Sequence, residues 1–155
     1  MTSDRLNWFL TVAANVGVVL GLGFLLIELR QNTLATQAAL NHDLLAVGRE
    51  HAELLLTDDE LAEIVLRAEQ DPESLSLLER EKFLLFTSWR MGVWETAFMN
   101  ADEGLVADRY FEGFDAWYSE LVRRGPGYKY WLNESRHGYD LAFQEHVDRV
   151  FESGP

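Results

Sequence analysis

Four residues on one predicted helix hold most of the side-chain chemistry this chain could offer: Trp89, Arg90, Trp94 and Glu95. Arg90 and Trp94 are four apart, so the guanidinium can lie over the indole face. Glu95 falls beside the apolar arc of the same helix, where a carboxylate is costly without a partner. Together they describe a candidate ligand pocket, with Trp94 as a wall and Glu95 anchoring a cation. The competing description is a structural ion pair from Glu95 to Arg67, Arg123 or Arg136. Such pairs perturb carboxylates as functional sites do, and the ion pair is the expectation.

Glu134 and His137 form a Glu-x-x-His step of the kind used by di-iron carboxylate bundles. Those bundles need two such steps and two further Glu residues. His42, His51 and His146 have no Glu three positions before them, so neither a metal site nor a cofactor is expected. The chain has no Cys, which excludes disulfides and thiolate metal sites. It also lacks a phosphate-cradling loop, a Gly-x-Ser-x-Gly elbow and a His-Glu-x-x-His helix. A non-enzymatic role is the expectation.

The elements that must position these groups read as helices. From Arg30 to Leu56 there is no Pro and one Gly, Gly48. Over this stretch Gln37, Leu40, Leu44, Val47, His51 and Leu54 recur in steps of three and four, a helical seam in which His51 is packed rather than ligating. Thr57-Asp-Asp-Glu60 reads as a capping box that opens a second helix with Leu61, Ile64, Val65 and Ala68 on one face. Asp71-Pro72 ends it. Ser76-Leu-Leu-Glu79 is a second capping box, opening a helix to about Asn100 that carries Phe83, Phe86, Trp89, Val93 and Ala97. Gly104 marks a turn. Val106 to Arg123 is a fourth helix, with Phe111, Phe114, Trp117, Tyr118 and Leu121 inward. Gly125-Pro-Gly127 is a firm stop. A short segment with Tyr128, Tyr130, Trp131 and Leu132 follows, then a last helix from Asp140 to Glu152. No strand pattern is present. The fold class is all-α.

Leu6 to Ile27 contains no charged residue. At helical rise it is about 33 Å long, enough to cross a hydrocarbon core of about 30 Å. Trp8 and Phe9 sit at one rim, where aromatic rings favour the headgroup layer. A cleaved signal peptide would need a shorter apolar core and a small-residue site directly after it, but Glu28-Leu-Arg30-Gln-Asn32 follows instead. The uninterrupted apolar length also argues against a buried core helix. A single-pass membrane anchor at residues 1–30 is expected, with an acidic helical bundle at residues 31–155. Arg5 and Arg30 nearly balance under the positive-inside rule. So short an N-terminal tail is easily translocated, which leaves the bundle cytoplasmic.

Within the anchor Ala13, Gly17 and Gly21 recur every four residues, a spacing that lets membrane helices approach closely. Thr11, Asn15, Val19 and Gly23 form a second row about 200° away. Asn15 is polar at membrane depth, where an interhelical hydrogen bond is its natural partner. Homo-oligomerisation through this helix is expected. Glu28, Arg30 and Asn32 form a polar cluster at the membrane exit, read first as the stop that fixes the anchor's depth and second as a contact for a neighbouring subunit or headgroup. The net charge of −13 excludes nucleic acid, whose phosphates demand clustered Lys and Arg. The partners expected are the bilayer and further copies of the chain.

The order of these motifs resembles a group of small bacterial proteins of environmental, often marine, origin whose domain has no assigned function. The likeness rests on the Gly-rich anchor, Glu28-Leu-Arg30-Gln31-Asn32-Thr33, Asp71-Pro-Glu-Ser-Leu-Ser-Leu-Leu-Glu79-Arg80 and Trp94-Glu95-x-x-Phe98. It runs from the anchor to about Trp131. It implies a bacterial, membrane-anchored helical protein in the inner membrane, and brings no activity, cofactor or catalytic residue. The expected role is a scaffold, sensor or accessory subunit acting through self-association or a protein partner. The alternative is a ligand-binding or enzymatic bundle around Arg90, Trp94 and Glu95.

Overall fold

The computed structural model describes residues 3–153, for residue 4 the backbone alone; the last two positions of the expected bundle lie outside them. Among the described residues six α-helices follow one another: α1 (Ser3–Thr57), α2 (Asp59–Gln70), α3 (Leu77–Asp102), α4 (Asp108–Val122), α5 (Pro126–Ser135) and α6 (Leu141–Glu152). Single 3-10 turns occupy Pro72–Ser74 and Arg136–Gly138. No strand occurs among the described residues. The chain divides into two compact units, Met1–Ala38 and Ala39–Pro155. The apolar stretch ends near residue 30, and the second unit begins at Ala39.

The described residues of the first unit form a single stretch of α1. Its apolar window has a mean hydropathy of 2.3 and none of it is buried. This is one helix, near the N-terminus, long and apolar enough to cross a membrane. The helix satisfies its own hydroxyls: Thr11 Oγ1 donates to the Asn7 carbonyl at 2.9 Å and Thr33 Oγ1 to the Leu29 carbonyl at 3.0 Å. Back-bonding of this kind is how Ser and Thr meet their needs in helices. It removes Thr11 from the polar row that includes Asn15.

The second unit is built around α3, which packs against α2, α4, α5 and α6. Its core is aromatic: Phe83, Trp94, Tyr118, Tyr128, Trp131 and Phe143 are all buried. On the α1 segment of this unit Leu40, Leu44 and Val47 are half-buried and His51 is buried, as the seam requires. Leu54 stays at the margin and Leu55 packs on the core in its place.

Local signals set most boundaries. Ser76 and Glu79 form the expected capping box: the Glu79 carboxylate accepts from the Ser76 N–H at 2.8 Å and the Ser76 hydroxyl accepts from the Glu79 N–H at 3.4 Å. The other box does not form. Asp58 caps α2, accepting from the Leu61 N–H at 3.0 Å, while Thr57 Oγ1 donates back to the Glu53 carbonyl. Gly104 turns the chain between α3 and α4 at φ +71°, a conformation that only glycine adopts without strain. Asp140 caps α6 through the Ala142 and Phe143 N–H groups.

Glu79 also pairs with Arg67. The Ser76 amide and hydroxyl, with Arg67 behind them, hold its carboxyl at about 2, well below the ordinary 4.5. A folded-state pKa below the unfolded one adds stability that is present above 4.5 and lost as pH falls toward 2. Glu79→Gln is therefore expected to melt below the wild type at neutral pH. The gap should close as the pH is lowered from 4.5 to about 2. Thermal melts across that window check this, and a gap that stays constant refutes it.

Candidate functional site

Trp89, Arg90, Trp94 and Glu95 meet different partners. Trp94 is fully buried at 0% exposure. Its ring stacks on Tyr118 (centroids 5.4 Å apart, planes 15° apart) and meets Phe143 and His146 edge-on. Its indole N–H donates to Asp115 Oδ1 at 2.8 Å. Arg90 does not reach it. The guanidinium carbon lies 5.3 Å from the Phe86 ring centre and 5.8 Å from that of Trp117. The expected Arg90–Trp94 pair is thus replaced by two others, because Tyr118 already covers the indole face. Glu95 accepts a hydrogen bond from the Asp140 backbone N–H at 2.5 Å, joining α3 to the start of α6.

None of the expected arginine partners holds Glu95. Arg67 pairs with Glu79, and Arg136 forms a two-pronged pair with Asp148 at 2.8 and 3.3 Å. Arg123 donates to the Val150 carbonyl and to Ser153 Oγ, a cation at the C-terminal end of α6 where the helix dipole favours one. Glu95 accepts from the backbone of another element and forms no ion pair among the described residues.

One buried polar group, Arg90, was not foreseen in its role, and another, His51, is packed as expected. Arg90, 6% exposed, donates to Tyr128 Oη at 3.1 Å, and Tyr128 in turn donates to Glu69 Oε1 at 3.2 Å. Burial pushes the Tyr128 phenol up, and pushes Tyr118 up to about 12, with the Arg90 charge opposing in both. Both phenols stay protonated at neutral pH. His51 packs its ring against Phe86 and Trp89, with centroids 5.9 and 4.1 Å away. Among the described residues neither ring nitrogen reaches full hydrogen-bond geometry, although the Val47 backbone favours the charged ring. Burial first, and Arg90 second, lower its pKa, so the ring is held neutral.

Asp115 and His146 form the other unforeseen group, 2.6 Å apart, with Trp94 sharing the same carboxylate oxygen. Asp115 lies three positions before Tyr118 on the aromatic face of α4. A carboxylate on such a face requires a partner, and that was the available signal.

Glu134 and His137 are exposed, and no group of three or more His, Asp or Glu side chains able to hold a metal occurs among the described residues. Glu28, Arg30 and Asn32 are exposed on α1. So are Ala13, Asn15, Gly17 and Gly21, and a side chain added at either glycine would meet nothing within 4 Å.

An open groove lies elsewhere. A groove of about 560 Å³ runs between residues 41–49 of α1 and the face of α4, both in the second unit. Leu44, Leu45, Phe111, Phe114, Trp117 and Tyr118 form its walls, and Arg49 and Arg109 line it as well. Trp117, expected to point inward, is 51% exposed and faces this groove. A smaller cavity of about 160 Å³ lies between α1 and α3, around Leu40, Val47 and Val93.

No family model, curated protein or solved structure matches this chain. The geometry therefore stands as the sole ground for a function.

Proposed function

We propose that this chain is a single-pass protein of a bacterial inner membrane: a non-enzymatic scaffold, sensor or accessory subunit that associates through its anchor helix, with the bundle on the cytoplasmic side. The observation that carries the reading is the complete exposure of the apolar window of α1. A continuous apolar surface of that length is covered by lipid or by other apolar helices. Two rival readings fit less well. A core helix of a soluble protein is mostly buried, and this one is not. A cleaved leader would be cut inside an unbroken helix, since α1 continues to Thr57.

Self-association draws support from two features of the first unit. The Ala13, Gly17 and Gly21 row has open space in front of its glycines, which lets a second helix approach closely. The Asn15 side chain makes no hydrogen bond among the described residues, whereas the Thr11 hydroxyl bonds its own helix. At membrane depth a carboxamide gains from a partner on another helix.

The test is the mass of the full-length protein in mild detergent. A discrete oligomer is expected, and Gly17→Leu with Gly21→Leu should reduce it to monomer. A wild-type monomer, or an oligomer that ignores both substitutions, overturns self-association through this face. The ligand-binding alternative is not supported at Arg90, Trp94 and Glu95, whose groups are used within the bundle. The groove between α1 and α4 favours it at a different place.

A further inference from the structure

We infer that the groove between α1 and α4 is a binding site for a single-chain anionic amphiphile, a long-chain carboxylate being the simplest case. Three independent observations converge on it. The first is its size and lining. Its volume of about 560 Å³ falls within the range of about 300–1,000 Å³ typical of small-molecule sites, and such sites are mostly apolar with a few placed polar groups. Aromatic and leucine side chains wall it, as an acyl chain requires.

The second is charge. The chain carries 26 Asp and Glu against 13 Lys and Arg. The groove reverses that balance: it is lined by Arg49 and Arg109 and by no acidic residue. Neither arginine forms an ion pair among the described residues. A third guanidinium, Arg90, sits 5.8 Å from the Trp117 ring that lines the groove. In a molecule of net charge −13, a locally positive apolar slot selects an anionic head with an apolar tail. Guanidinium groups are suited to carboxylates because their planar fork matches the two oxygens.

The third is glycine. Gly48 on α1 and Gly113 on α4 both line the groove from within a helix. Glycine destabilises a helix interior relative to alanine, so its presence there calls for a reason. Close packing is not the reason, because a side-chain carbon added at either position meets nothing within 4 Å. Both glycines line the groove with open space before them, and a larger side chain at either would narrow it.

This site does not depend on association of the anchors. It is tested on the full-length protein in phosphatidylcholine nanodiscs, with a hexadecanoate probe that carries a photoactivatable group near its methyl end. Labelling is expected on peptides covering residues 41–49 and 109–118. Unlabelled hexadecanoate should compete at least about tenfold better than hexadecanol, the difference that charge-assisted bonds to arginine supply. Gly48→Leu with Gly113→Leu should abolish groove labelling and leave any labelling of residues 6–27 unchanged. Arg49→Gln with Arg109→Gln should keep the labelled positions and erase the preference for the acid over the alcohol. Equal competition by the alcohol overturns the proposal. So does labelling that survives the leucine pair, and so do groove peptides that stay unlabelled and crosslink to a second copy instead. If the leucine pair fails to melt cooperatively, the glutamine pair and the alcohol comparison decide the matter.

Discussion

Trp94→Ala is expected to lower the stability of the bundle by about 3–5 kcal/mol, the range for truncating a large buried aromatic side chain. For a unit of this size that corresponds to a fall of about 10–20 °C in Tm. The expectation rests on what surrounds the ring. Tyr118 stacks on one face, and Phe143 and His146 approach with their edges. Truncation opens a cavity where α3, α4 and α6 meet. It also removes the indole donor from Asp115, leaving that carboxylate with His146 alone. Trp89→Ala is the comparison: Trp89 is 45% exposed, so its loss should cost far less. Thermal melts of both variants by near-UV circular dichroism, in mild detergent, check the pair. Equal melting points would contradict the placement of the two rings.

Gly127→Ala should be as damaging, although it adds a single methyl group. Pro126 and Gly127 open α5 directly against the end of α2. A side-chain carbon at Gly127 would lie 2.7 Å from the Ala68 carbonyl carbon and 3.2 Å from the Glu69 nitrogen. These are backbone atoms and cannot swing aside as a side chain can. Overpacking usually costs about 1–3 kcal/mol, and the upper end or beyond is expected where a helix must move bodily. The next residue, Tyr128, ties Glu69 to buried Arg90, so any shift of α5 also strips Arg90 of its hydrogen bond. Gly92→Ala is the control, because nothing lies within 4 Å of the added carbon there and alanine favours the helix by about 0.5–1 kcal/mol. Gly92→Ala should melt at or above the wild-type temperature and Gly127→Ala well below it. The reverse order would refute the packing account.

The helical class, and most helix ends, could be read from the chain because their causes are local. Ser76 and Glu79 make their box wherever the rest of the chain goes. The box at Thr57 failed for an equally local reason: Asp58 is a competing cap one position later, and Thr57 could satisfy itself on the Glu53 carbonyl. Pairing across helices is a different matter. The four-residue step from Arg90 to Trp94 permits a contact, but whether it forms depends on who else wants the indole face, and Tyr118 comes from another helix. Trp117 and Tyr118 are neighbours about 100° apart around α4. Both look inward in a pattern of apolar residues, yet only one can face Trp94. The groove had the faintest trace of all. Space between helices is written in no residue type, and its one mark is a pair of interior glycines, Gly48 and Gly113, that no local rule explains.

The position of α6 has a consequence for how the protein is made. Phe143 packs on Trp94, His146 shares Asp115 with it, and Arg123 fastens the end of the helix at Val150 and Ser153. Every one of these partners is synthesised earlier than α6 itself. Chains emerge N-terminus first at about 5–20 residues per second, so the part of Trp94 that α6 covers stays open until residues 141–152 have left the ribosome. The bundle closes only once α6 has emerged, and a message truncated before Phe143 yields a product whose Trp94 ring lacks its cover from Phe143 and His146.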